Sequence, residues 1–372
     1  MKKLHVMTVV GTRPEIIRLS EVIKALDRYS DVFQHTLVHT GQNYDYELNG
    51  IFFEDLGLRK PDVFLEAAAP TALGTIGQIL IKIEAILNQF QPDAFLVLGD
   101  TNSALAALAA KRKKIPIFHM EAGNRSFDER VPEETNRKIV DHLADINLPY
   151  STLSRNYLLR EGLPPDRIIK TGSPMKEVIL ANQHKIESSD VLQRLAIHAH
   201  KYFVISAHRE ENIQDDEHFN ALMQTLDLIA KQYQLPVIVS THPRTQKRIK
   251  EKQITIDARV QFLKPLGFSD YIALQKNALA VLSDSGTINE ETSILGLKAL
   301  NIRDAYERPE AMEEATTMMV GLQSQKVLLG LSLLLNQTQD AIQEVEDYAI
   351  TNVSDKLIRI MLSYFNYSIP KK

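Results

Sequence analysis

The 372-residue chain contains no cysteine, which excludes at once a disulfide framework, a thiolate zinc site, an iron-sulfur cluster and a cysteine nucleophile. Its chemistry must come from His, carboxylates, Lys, Arg and hydroxyls. A basic excess is also missing: 43 Lys and Arg stand against 47 Asp and Glu, for a net charge of -4. Non-specific attraction to phosphate backbones therefore has no source, and no nucleic-acid partner is expected. No long biased tract occurs among residues that are 44% hydrophobic and 24% charged, so a fibrous or disordered chain is excluded. The longest apolar run, Val327 to Leu335, is far short of the roughly 20 residues that span a bilayer. The opening MKKLHVMTVVGTRPE runs straight into Arg and Glu with no small-residue cleavage site. The expectation is a soluble cytoplasmic protein with no membrane partner.

Glycine spacing removes two further classes. No two of the 15 glycines are two or five positions apart, so neither G-x-G-x-x-G nor G-x-x-x-x-G-K occurs. A bound nucleotide would have to be held without a dinucleotide fingerprint or a P-loop.

What is present is an alternation of strand-length apolar runs with segments of helical period, the pattern of βα units around a parallel sheet. A first series of strands is expected at 4–10, 35–40, 93–99, 115–122, 146–150 and 167–172. After a polar stretch, Asn182 to Asp190, a second follows at 201–208, 236–242, 259–265, 279–286, 298–303 and 317–321. At about 150 residues per domain the length also suits two domains. Two doubly wound α/β halves joined near residue 173 account for both observations.

Ligands of such sheets sit beyond the carboxyl ends of the strands. That rule selects Gly11 to Glu15, His39 to Gln42, Asp100, Glu121, His208, His242 and Asp284 to Gly286. In GTRPE, Thr12 caps a helix, Pro14 sits in its first turn and Glu15 completes a capping box. Arg13 and Arg18 are not needed by the cap, and two guanidiniums near a helix N-terminus make an anion site suited to phosphate. Asp100 and Glu121 emerge from buried strands, where an acid is costly unless paired or solvated in a cleft. Glu133 and Glu134 open a helix begun by Pro132, where acids are favoured anyway, and Arg137 one turn later suits a helix partner. Ser285 and Gly286 would present backbone N–H groups to a diphosphate, with a carboxylate in the first turn on ribose hydroxyls. His208 and His242 each end a strand without metal-ligand spacing, which favours catalysis or phosphate binding over zinc.

GTRPE, GDT, H-x-E-A-G, PEE-x-N-R, AHRxEN, the DSG turn with its Glu pair, and Arg303-Asp304 with Glu307-Arg308-Pro309-Glu310 occur in one order along the chain. Together they resemble the non-hydrolysing UDP-N-acetylglucosamine 2-epimerases of bacteria. The resemblance implies a GT-B architecture, two Rossmann-like doubly wound domains facing a central cleft, usually as a homodimer. The domains would be 1–172 plus 353–372, carrying the catalytic acids, and 173–352, binding UDP. It further implies that Asp100, Glu121, Glu133, Arg137 and His208 are catalytic or near-catalytic. Arg13, Arg18, His242, Ser285, Gly286, Glu291 and Arg308 would bind the UDP-sugar substrate, and no NAD or metal would be required.

Some residues depart from the glucosamine-type pattern. Arg18 stands where those enzymes carry Lys, and Thr287 where they read DSGG. The loop NRSFDERV before PEE is shorter, and TGSPMKE (171–177) replaces TGNTVID. These features resemble the branch that inverts UDP-2-acetamido-2,6-dideoxy-L-talose to UDP-N-acetyl-L-fucosamine in capsule and O-antigen pathways. UDP-GlcNAc/UDP-ManNAc epimerisation and a GT-B UDP-sugar glycosyltransferase are the alternatives.

Overall fold

The computed structural model describes residues 2–42, 50–207, 215–241, 245, 248–249, 251–252, 254–303, 308–338 and 343–365. In the first compact unit, Met1–Ala181 with Glu346–Lys372, six parallel strands form one sheet. These are β1 (Leu4–Val10), β2 (Phe33–His39), β3 (Val63–Phe64), β4 (Ala94–Leu98), β5 (Ile117–Met120) and β6 (Ile146–Leu148). Their order is β3-β2-β1-β4-β5-β6, the doubly wound order with its switch point between β1 and β4. Both faces of the sheet are covered by helices, which is why β1 and β4 are buried along their whole length. Ile79, Ile83 and Leu87 repeat every fourth residue along the Ala72–Phe90 helix and pack with Met7, Val9, Phe95, Val97 and Ile117 of the sheet.

The second unit, Asn182–Val345, carries β7 (Phe203–Ser206), β8 (Val237–Ser240), β9 (Val260–Leu263), β10 (Ala280–Ser283), β11 (Ala299–Asn301) and β12 (Met318–Met319). Its order, β12-β11-β10-β7-β8-β9, is the same winding read from the other edge. Phe219, Leu222, Leu226 and Ile229 form the apolar stripe of the Asp216–Tyr233 helix and pack with Phe203 and Ile205. These are the two Rossmann-like α/β units of the GT-B class. Among the described residues, no helix is long and apolar enough to cross a membrane.

Two expectations differ from the structure. Residues 167–172 are not a strand: a short 3-10 turn, Pro165–Arg167, is followed by a single bridge between Asn147 and Ile168. Ile169 and Thr171 do donate their N–H groups to Asn147 and Pro149. Gly172, at φ 84°, then turns the chain toward Asp347, whose carbonyl accepts from Ser173. The two-residue edge strand β3 was too short for an apolar pattern to mark. Unit boundaries also fall at 181 and 346, where the sequence suggested 172 and 353. The Met175–Ala181 helix packs on the Arg13–Arg28 helix, and the Asp347 carboxylate bonds Lys170 at 2.7 Å and the Thr152 N–H at 3.0 Å. The Val353–Tyr364 helix packs on the same Arg13–Arg28 helix.

Candidate active site

β4 and β5 are adjacent and parallel, with Leu98 opposite Met120, so Asp100 and Glu121 leave the sheet side by side at its carboxyl edge. Glu121 has φ 62°, a left-handed conformation that costs a non-glycine residue about 1–3 kcal/mol and persists only where the surroundings enforce it. Its backbone N–H bonds Leu148 O at 3.1 Å, Arg18 Nη1 donates to its Oε2 at 2.8 Å, and Asn124 Nδ2 donates to its Oε1 at 3.3 Å. A Cβ placed on Gly99 would lie 3.9 Å from Glu121 Oε2, so this carboxylate lies against the glycine that precedes Asp100. The Arg18 guanidinium, expected to meet phosphate, is thus engaged with the second acid.

Asp100 has its own guanidinium. Arg137 Nε and Nη2 both donate to Asp100 Oδ2, at 2.9 and 2.5 Å, and Arg137 Nη1 reaches Glu134 Oε2 at 3.1 Å. Arg137 therefore does more than pair along its own helix. Asn136 Nδ2 adds a bond to the Asp100 carbonyl at 2.9 Å. Of the two acids opening the Pro132–Leu143 helix, Glu134 is the fully buried one, and it also accepts from Ser126 N and Oγ at 2.9 and 3.0 Å. Glu133 is partly exposed, one turn ahead of Arg137. Arg13 is partly exposed at the start of its helix, its guanidinium 5.8 Å from the centre of the Phe52 ring.

Behind these side chains lies a supporting layer that the motif reading missed. The fully buried Asp141 accepts from Gly123 N at 3.1 Å and Arg125 Nη1 at 2.7 Å, and its Oδ1 lies 3.0 Å from His119 Nδ1. Burial pushes the Asp141 carboxyl up, but the bonds and charges of His119 and Arg125 outweigh it and hold the group below the ordinary range. His119 Nε2 meets the Gly99 carbonyl at 2.8 Å, so the same ring ties Asp141 to the end of β4. Arg125 also forks onto Glu161 at 2.7 and 2.6 Å. A signal did exist: Glu134, Arg137 and Asp141 share the inner face of one helix at three- and four-residue spacing. Glu15, read from sequence as a cap, is fully buried and bonded to the loops after both β1 and β4. Burial pushes its pKa up to about 7 despite hydrogen bonds from Thr101, Gly11 and Thr12.

In the second unit, Ser283 to Gly286 turn from β10 into the Thr287–Leu295 helix. Ser283 Oγ accepts from Ser285 N at 3.1 Å, and Ser285 Oγ lies 2.9 Å from Thr287 Oγ1. Gly286 occupies the N-cap position. Glu291 is buried and accepts from Gln275 Nε2 at 2.7 Å. Arg308 is buried too, its Nη2 3.5 Å from the fully buried Glu290. His208 and His242 lie outside the described residues, as do Asp304 and Glu307.

Two doubly wound units, one with Asp100 and Glu121 at the neighbouring ends of β4 and β5 and neither with a dinucleotide fingerprint, define a two-domain α/β protein. A family model described as UDP-N-acetylglucosamine 2-epimerase matches residues 24–362. The chain is 47% identical to the UDP-N-acetylglucosamine 2-epimerase of Rickettsia bellii, whose solved structure matches it with a TM-score of 0.91 over 98% of each chain. It is 32% identical to the Methanocaldococcus jannaschii UDP-GlcNAc 2-epimerase solved with UDP-GlcNAc and UDP, with a TM-score of 0.90 over 97% of this chain and 100% of that one. Over 322 residues it is 32% identical to the UDP-2,3-diacetamido-2,3-dideoxy-D-glucuronate 2-epimerase of Pseudomonas aeruginosa, 86% of this chain and 88% of that protein. The chain belongs to the UDP-N-acetylglucosamine 2-epimerase family, a family of isomerases.

Proposed function

We propose that this protein inverts carbon 2 of a UDP-2-acetamido sugar, and that its substrate is UDP-2-acetamido-2,6-dideoxy-L-talose, converted to UDP-N-acetyl-L-fucosamine for capsule or O-antigen. The observation that carries the epimerase reading is the pair of acids at neighbouring strand ends, each with its own guanidinium: Asp100 with Arg137 and Glu121 with Arg18. Carbon 2 of such a sugar carries no acidic proton, so simple abstraction and return is not available. In an elimination, one carboxylate takes the carbon 2 proton while the bond from carbon 1 to the UDP oxygen breaks, UDP leaving with the electron pair and a glycal forming. A proton delivered to the other face and re-addition of the UDP oxygen to carbon 1 complete the inversion. No net oxidation occurs, so nicotinamide is not required.

Two faces call for more than one acid-base group, and Asp100, Glu121 and Glu133 are the three proposed. Arg13, His208, His242, Ser285, Gly286, Glu291 and Arg308 are proposed to hold UDP and stabilise it as it leaves. The L-sugar is favoured by Arg18, which stands where glucosamine-type enzymes carry Lys, and by the short loop Asn124 to Val131 between Glu121 and Glu133. That loop is fastened by Arg125 and Ser126, leaving Phe127 70% exposed. The names of the relatives favour UDP-GlcNAc/UDP-ManNAc as the second reading.

Proton NMR in D2O with each UDP-sugar decides between them, read as loss of the H-2 signal. Exchange with the L-talose derivative alone supports the first reading and exchange with UDP-GlcNAc alone the second. Exchange with neither sinks both and moves weight to a glycosyltransferase. A cytoplasmic homodimer is proposed with this function; light scattering at a monomer mass would remove the dimer.

A further inference from the structure

We infer that Glu15 is a positioning residue that straps the loop after β1 to the loop after β4, fixing Arg13 and Asp100 relative to each other. Glu15 Oε2 accepts from Gly11 N at 2.8 Å, Thr12 N at 2.7 Å and Thr12 Oγ1 at 3.0 Å. Its Oε1 accepts from Thr101 Oγ1 at 2.7 Å. Thr12 precedes Arg13 in the chain and Thr101 follows Asp100, so one carboxylate grips the neighbours of both.

A helix cap accounts for the bonds to Thr12. It does not account for Thr101, 86 residues further on, nor for a second backbone bond at Gly11. Thr101 Oγ1 also accepts from Ser103 N at 3.3 Å, at the head of the Asn102–Ala106 turn, so the Glu15 carboxylate is linked through one hydroxyl to the backbone of the β4 loop. The two loops are closely packed as well: a Cβ added to Gly11 would fall 1.9 Å from Ser103 Oγ and 2.2 Å from Thr40 Oγ1. With the glycine filled by its neighbours and the carboxylate bonded on both sides, the β1 loop cannot shift without carrying the β4 loop with it.

The inference rests on the reading of Asp100 as an acid-base group, and the test separates the two. Thr101→Val removes the hydroxyl while keeping its shape, and Thr101→Ser restores it. Hydrogen exchange followed by mass spectrometry on intact wild type and both variants reads the strap without reference to activity. In Thr101→Val, segments 11–13 and 100–103 lose protection together, and in Thr101→Ser they regain it. Protection unchanged in Thr101→Val, or lost around residue 101 alone, overturns the strap whatever the enzyme does.

Steady-state kinetics on the UDP-sugar that the wild type converts then reads positioning. Thr101→Val lowers kcat by about tenfold or more, since small misplacements of a reacting group are costly. KM stays within about twofold and Thr101→Ser recovers the rate. A kcat within about twofold of wild type in Thr101→Val, or a serine variant no better than the valine one, refutes the positioning role. A wild type that converts no UDP-sugar refutes the acid-base reading instead, and with it the positioning role, while the exchange data still decide the strap.

Discussion

Arg18 Nη1 lies 2.8 Å from Glu121 Oε2, with only 7% and 10% of the two side chains exposed. The first residue sits on the helix after β1 and the second at the end of β5, 103 positions later. A guanidinium this close and this sheltered holds the carboxylate in place through a charge-assisted hydrogen bond.

Arg18→Met therefore lowers the H-2 exchange rate at neutral pH and destabilises the fold. Together with Glu121→Gln the loss of stability is smaller than the sum of the two single losses, with a coupling of about 1–3 kcal/mol. Urea unfolding of the four proteins measures it; additive losses would show that the pair does not couple.

Asp100→Asn and Glu121→Gln each remove one acid without changing shape. Each is expected to slow H-2 exchange by at least about 100-fold, the lower range for a lost acid-base group. UDP affinity measured by calorimetry stays within a few-fold of wild type. Normal epimerisation by both amides would end the proposed mechanism.

Glu15 gives a pH signature with a definite sign. Its carboxyl has an ordinary value of 4.5 and in the folded chain is pushed up to about 7. The folded state holds the extra proton between these values, so this group's contribution to stability is full below about pH 4.5. It is lost as pH rises through about 7, a change on the order of 3 kcal/mol. Glu15→Gln removes it. Urea unfolding at pH 5 and pH 8 should show the wild type losing more stability over that interval than the glutamine variant, and parallel losses would contradict the shift.

Asp141→Asn leaves the buried Arg125 and His119 facing a neutral amide. Removing one member of a buried ion pair costs about 3–5 kcal/mol, and Glu161, which also holds Arg125, places this case near the lower end. The Asp141 carboxyl is held below its ordinary 3.8. Its contribution is thus present above that value and lost as pH falls through the lower folded-state one. Chemical denaturation of wild type and variant between pH 3 and pH 7 tests this: the gap between them closes toward acid.

Much of the framework was legible in the sequence because parallel strands buried on both faces read as short apolar runs, and eleven of the twelve expected runs overlap strands. The exception, 167–172, has a strand-like composition but lies along the edge of β6 and meets it through one bridge. Edge pairing depends on a neighbour, which a local pattern does not contain. Among the site residues, Asp100 and Glu121 were legible as polar residues ending apolar strands. Asp141 and Arg125 were not singled out, Glu134 was read only as a favourable first-turn acid and His119 only as part of H-x-E-A-G, because acids in a helix and a His within a strand have ordinary local explanations.

The sequence by itself determined the alternation of strand and helix, the caps, the absence of a dinucleotide fingerprint and of a P-loop, and the order of motifs that marks the family. Each of these is local or linear, set by propensity, period and composition. Only the tertiary structure decided which polar and charged groups meet. Glu15 with Thr101, Arg18 with Glu121 and Arg137 with Asp100 are separated by 86, 103 and 37 positions. They come together because β1, β4 and β5 lie side by side in the sheet. Strand order is fixed by how the helices pack over both faces, so the partner of each buried charge is a property of the whole first unit and of no segment within it.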